Sequence, residues 1–277
     1  MKTESELKNL LSRWLAAAAL AAPIALLVVG ISGNRTVQAA TRPKEPVNPV
    51  VAWKAPNLSS IPGGKLGQSI RLGRNIILHT PQYASRYVGD RMNCSDCHLK
   101  AGTQPWASPL AGLTTVFPAY HKRDGRVITM ARRIQECFLR SENGKSPPSD
   151  SPEMVAILAY MNWLSKGIPM GSTIKGRGLL TLTPPAHVNS ARGATLYAHQ
   201  CQVCHGASGQ GVPGMFPPLW GRGSFNDGAG MSKVAKMAAF VKANMPATKP
   251  GSLSVQQAYD VAAFVTAKPR AHFKPPR

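Results

Sequence analysis

Apolar side chains recur at helical spacing in six stretches of the chain, separated by segments rich in Gly and Pro. The first predicted helix covers 66–79, with Leu66, Ile70, Ile77 and Leu78 among its apolar positions, and Pro81 is read as its end. A loop over 100–126 leads to a second helix over 128–140, which Asn143-Gly144 stops and Pro147-Pro148 follows. A third runs from Ser151-Pro152 to about 166, with Ser at the cap, Pro in the first turn and Glu153 beside it. Residues 167–185 have no strong period and form the predicted domain boundary. The same order then returns: helices over 191–200, 232–244 and 254–268, with a Gly/Pro loop over 206–230. The stretches 153–160 and 257–264 are both apolar and both end on a small residue followed by an aromatic one. The chain is therefore a two-copy repeat of about 100 residues each, within the ordinary domain size. It predicts an all-α fold of two small helical domains, over 63–178 and 186–277, with a linker or surface strap over 40–62.

The N-terminal residues 1–39 read as an export segment. Residues 15–31 are almost continuously apolar, basic residues precede them, and Val37-Gln38-Ala39 suits cleavage. The run is long for a signal core and slightly short for a membrane span, so cleaved signal and inner-membrane anchor both stay open. Either reading places the body of the protein in the periplasm. The formal net charge is +21, from 33 basic and 12 acidic side chains. Removing residues 1–39 takes away four basic and two acidic ones and leaves +19. Such a charge suits a small anionic substrate, an acidic redox partner or an anionic membrane surface. The basic residues form no tract, and nucleic acid is not expected as a partner.

Four of the five cysteines fall in Cys94-Ser95-Asp96-Cys97-His98 and Cys201-Gln202-Val203-Cys204-His205. Each is a CxxCH motif, in which two thiols attach to haem vinyl groups and the adjacent His reaches the iron. Zinc sites or disulfides are the competing readings. Zinc must explain a His directly after the second Cys in both copies, and disulfides leave one cysteine over. Two c-type haems, each wrapped by one domain, follow. In the second copy Met245 lies 40 residues after His205 and precedes Pro246, a suitable place for a distal thioether ligand, with Met231 and Met237 as rivals. In the first copy Cys137 lies 39 residues after His98, in the corresponding slot. It is either an iron ligand or a buried small hydrophobe that leaves the iron to Met130. Arg133, Cys137, Arg140 and Ser141 share one helical face. Guanidinium groups there favour thiolate over thiol and could bind a dianion. They could equally be a solvated basic face or partners of haem propionates.

With its most specific stretches at 94–102, Phe117-Pro118-Ala119-Tyr120, 133–145 and Asn244-Met245-Pro246, the chain resembles the dihaem cytochrome c family of thiosulfate dehydrogenases and tetrathionate reductases. The resemblance covers 66–273. It implies His98 with Cys137 on the first haem and His205 with Met245 on the second. It also implies a substrate pocket using Arg123, Arg133 and Ser141, with Arg140 beside them. The implied reaction couples two thiosulfates to tetrathionate, in either direction. Electrons pass from the first haem to the second and on to a small cytochrome or another high-potential acceptor. Gln135 stands where Asn is expected, and Glu142 places an acid beside the anion pocket. Asn244 occupies the place of a Lys that switches ligand in some relatives, so no such switch is expected. A dihaem electron carrier without a substrate, and a sulfur-oxidation cytochrome that works inside a larger complex, are the competing functions.

Overall fold

A computed structural model describes residues 48–275, so the export segment expected in 1–39 lies outside the described residues. Six helices longer than ten residues carry the fold. They are α1 (Gly64–Leu78), α2 (Met130–Arg140), α3 (Pro152–Leu164), α4 (Ser190–Gln200), α5 (Val234–Asn244) and α6 (Val255–Thr266). Their starts follow local chemistry. The side chains of Thr129, Ser151, Asn189 and Ser254 each accept a hydrogen bond from an amide in the first turn of the helix they precede. Ser254 also forms a capping box with Gln257. No helix among the described residues is long and apolar enough to cross a membrane.

Two short pieces of sheet depart from the all-helical expectation. Strands β1 (Val50–Val51) and β4 (Thr173–Ile174) pair in parallel, and Trp53 Nε1 donates to Leu164 O at 3.0 Å. Strands β2 (Ala119–His121) and β3 (Arg126–Ile128) form an antiparallel hairpin that begins in the stretch expected to be loop and takes Ile128 from the expected start of the next helix. Residues 122–125 make its turn, with Gly125 closing it at φ 65°. Pro81 does not simply end a helix. It sits in the first turn of a new short one, Thr80–Tyr83, where its missing N–H is harmless.

The repeat is visible in how helices cross. A Cβ at Gly73 of α1 would lie 2.0 Å from the carbonyl oxygen of Ala156 in α3. A Cβ at Gly193 of α4 would lie 2.0 Å from that of Asp260 in α6. Ala156 and Asp260 are equivalent positions when 153–160 is laid on 257–264. Each crossing allows backbone-to-backbone approach that only glycine permits. Each supports its own core: Ile76, Phe138, Met154, Ile157 and Tyr160 in the first, Tyr197, Phe225, Tyr259, Val261 and Val265 in the second. Each fully buried large side chain contributes roughly 1.5–3 kcal/mol.

The two cores meet along a polar seam. Asn226 Nδ2 donates to Leu139 O at 2.8 Å and to Asn143 Oδ1 at 3.1 Å, while its amide donates to Arg140 O at 3.1 Å. A loop of the second repeat thus satisfies the carbonyls left free at the end of α2. Arg91 joins from the other side, donating to Gly223 O from its amide and to Gln210 O from its side chain.

Candidate functional site

The first CxxCH motif is braced before any chemistry is considered. Asp96 Oδ2 accepts from the Asn93 amide at 2.7 Å, and Asn93 Oδ1 accepts from the Thr80 amide at 2.9 Å. His98 Nδ1 lies 2.5 Å from Ser108 O, and His205 Nδ1 lies 3.0 Å from Pro217 O. In both rings the Nδ1–H donates to a backbone carbonyl, which fixes the ring and turns Nε2 inward, the orientation a metal-bound histidine needs. Burial lowers the pKa of His205, which favours the neutral, ligating form. All five cysteines are free, so the disulfide reading fails. These residues fit covalent c-type haem at Cys94, Cys97 and His98 and at Cys201, Cys204 and His205.

Helix α2 brings Cys137 to the first motif. Arg133 Nη1 donates to Cys137 Sγ at 3.1 Å across one helical turn. Burial alone would raise the Cys137 thiol, but the Arg133 charge, His98 facing the same sulfur and the Arg133 hydrogen bond bring its pKa down to about 7. A substantial thiolate fraction at neutral pH follows. Ser141 sits just past the helix end, its amide bonded to Cys137 O at 2.7 Å. Arg123 arrives from the turn of the β2–β3 hairpin. Its pKa is lowered by burial and by the charges of Arg140 and Arg133, which places three guanidinium groups in one neighbourhood. Arg140 is also held at the seam, with its guanidinium 3.9 Å from the ring centroid of Phe273.

Met245 follows α5, half-buried, with its amide bonded to Val241 O at 2.9 Å. Asn244 is buried and donates to Phe240 O at 3.0 Å and Trp106 O at 3.2 Å. It is thus engaged as a strut between the repeats. Glu142 is buried, with its amide bonded to Cys137 O at 3.1 Å. Burial, reinforced by Asp90 and Asp96, raises its pKa well above the usual range and favours the neutral acid, which sits on the Cys94 side.

Two charged groups at this site escape a motif-based reading. Glu136 is 2% exposed and faces Arg123, Arg132 and Arg140 at 3.5, 3.4 and 3.4 Å. Its spacing of four from Arg132 and Arg140 is a sequence signal for such pairs. Lys236 comes from α5 of the second repeat. Its pKa is lowered by burial and by Arg123 and Arg133, so it adds a cation to the same place. No local signal marks it.

Residues 83–170 match the family described as SoxA/TsdA, cytochrome c domain, and 188–265 match cytochrome C oxidase, cbb3-type, subunit III. A thiosulfate dehydrogenase of Allochromatium vinosum is 41% identical over 268 residues, covering 92% of this chain and 96% of that protein. The chain belongs to the thiosulfate dehydrogenase family. A second member, from Thiomonas intermedia, is 42% identical over 237 residues, or 82% of this chain and 76% of its own. Among solved structures, the thiosulfate dehydrogenase TsdBA of Marichromatium purpuratum superposes with a TM-score of 0.75 at 41% identity. The match covers 78% of this chain and 49% of that one, so this chain spans about half of its length. Membership of this family carries the two cytochrome c domains and c-type haem binding.

Proposed function

We propose that the chain couples two thiosulfates oxidatively to tetrathionate, reversibly in principle, at the pocket around Cys137. The observation that carries this reading is a cysteine sulfur 3.1 Å from Arg133, with its pKa near neutrality and Arg123, Arg140 and Lys236 close by. The reaction brings two dianions together, and their repulsion is its main electrostatic barrier. Unit charges about 4 Å apart interact by about 4 kcal/mol at an effective dielectric of 20, and two dianions multiply that roughly fourfold. A preorganised cluster of cations in a shielded pocket offsets this term.

Cys94, Cys97 and His98, with Cys137, would hold one haem; Cys201, Cys204 and His205, with Met245, would hold the other. When bound, the two haems supply two one-electron acceptors. The chain's own residues do the rest. Arg133 holds Cys137 as thiolate. Arg123 and Arg133, aided by Ser141, orient thiosulfate with its outer sulfur toward that thiolate. The Cys137 sulfur bonds to this sulfur as two electrons leave, and a second thiosulfate then takes the bound group and frees the thiolate. The electrons depart through the second domain to an external acceptor, such as a small cytochrome. The basic surface suits an acidic acceptor, and export to the periplasm, with or without an N-terminal membrane anchor, fits the haem attachment motifs.

The test compares thiosulfate-dependent reduction of an artificial acceptor by wild type and Cys137→Ala, with haem content and spectra of both. Tetrathionate from wild type, and a variant that keeps its haems while losing activity by orders of magnitude, is the expected result. An inactive wild type with an unchanged variant spectrum would leave an electron carrier.

A further inference from the structure

We infer that Glu136 is a positioning residue for the anion site: its buried carboxylate gathers Arg123, Arg132 and Arg140 so that the cationic pocket is assembled before thiosulfate arrives. The inference rests on the reading given under Proposed function and deepens it. Glu136 neighbours Cys137 in sequence but points to the adjacent helical face, where it is 2% exposed. Arg132 Nη2 and Arg140 Nε reach it from one turn before and one turn after, both at 3.4 Å. Arg123 Nη1 reaches it from the hairpin at 3.5 Å. The carboxylate therefore ties the hairpin turn to the helix that carries Cys137.

Its charge explains why these groups stay together. Arg123, Arg132, Arg133 and Arg140 repel one another when no anion is bound. One central carboxylate offsets that repulsion while each guanidinium keeps further donors for an incoming ligand. A cation site does not fit the same groups. His121, Asp124 and Glu136 do bring possible ligand atoms within 4.8 Å of one another. However, the Glu136 carboxylate already faces three guanidinium groups, and a metal ion would sit among like charges.

The experiment separates positioning from simple charge. A carboxylate weakens the positive field at the pocket, so if field strength alone mattered, Glu136→Gln would bind thiosulfate more tightly. If Glu136 positions the arginines, the same change weakens binding. We expect Glu136→Gln, purified with both haems and wild-type haem spectra, to raise KM for thiosulfate on the order of tenfold, the scale of a lost bond to a charged group. Calorimetric titration with thiosulfate should show the same loss of affinity, and KM for the electron acceptor should not move. Glu136→Asp keeps the charge but retracts it, and should fall between Gln and wild type. It decides the matter if Glu136→Gln fails to fold. An unchanged or lowered KM in the folded Gln variant, or a wild-type KM in the Asp variant, overturns the inference. So does a copurifying divalent ion that Glu136→Gln loses. A wild type that neither binds thiosulfate nor forms tetrathionate overturns the underlying reaction instead, and is told apart by that first measurement.

Discussion

Asn226→Ala should destabilise the folded protein more than any surface substitution, because it removes three hydrogen bonds at a point that is 2% exposed. The amide nitrogen loses Leu139 O and Asn143 Oδ1, and the side-chain oxygen no longer accepts from the Gly228 amide at 3.1 Å. At about 1 kcal/mol net for each bond, the loss is about 3 kcal/mol, and a carbonyl left buried without a partner adds to it. For a domain pair of this size that corresponds to a fall in Tm of roughly 6–12 °C. The assay is thermal and guanidinium unfolding of the haem-loaded protein, followed by circular dichroism and by tryptophan emission. Asn226→Asp is the sharper comparison. It keeps the acceptor for Gly228 but turns a carboxylate oxygen toward Leu139 O and Asn143 Oδ1, adding a buried charge to two lost bonds. It should be less stable than the Ala variant. If Asp proves milder than Ala, the account of the seam is wrong.

Two other outcomes follow from the helix crossings. Gly193→Ala and Gly73→Ala each place a methyl group 2.0 Å from a backbone oxygen, so each should lower stability by about 1–3 kcal/mol or more in guanidinium titrations. Asp260 is buried and paired with Arg192 at 2.7 Å; burial would raise its pKa, but Arg192, the Asn189 amide and Gln256 outweigh that and lower it. A folded-state pKa below the unfolded one contributes stability that is present above pH ~4 and is lost as pH falls through the folded value. Asp260→Asn should therefore lower Tm at neutral pH and flatten its decline in acid, as a melting series across pH would show.

Much of this architecture was legible along the chain because its determinants are local. Caps, Gly/Pro stops and the CxxCH spacing each act within a few residues, and the six long helices fall where those signals put them. The hairpin that delivers Arg123 was not read from the chain, although Asp124-Gly125 is a turn-favouring pair. Its flanking strands are only three residues long, and period alone does not reveal them. Glu136 carried a readable spacing to Arg132 and Arg140, but its burial depends on how the hairpin and α2 pack. Lys236 was not legible at all. It reaches the site from 99 residues beyond Cys137, by way of the other repeat. The Asn226 seam is hidden for the same reason: its partners lie 83 and 87 residues away.

The paired glycine crossings also bear on how one half of a duplicated chain can change occupation while the other does not. In each repeat the frame is the first and last helix locked at a glycine, and the helix between them takes no part in that crossing. In the C-terminal copy that middle helix, α5, is largely apolar on its inner face and packs against α6. In the N-terminal copy, α2 is strongly charged and meets its neighbours mainly through Ile134 and Phe138. Outside its packing positions the middle helix is thus open to change. Substitutions on its other faces could gather arginines around a cysteine without disturbing the lock between the first and last helices. A protein engineer could exploit the same separation by changing the outward positions of α2 while leaving Ile134, Phe138, the seam partner Asn143 and the Gly73–Ala156 crossing untouched.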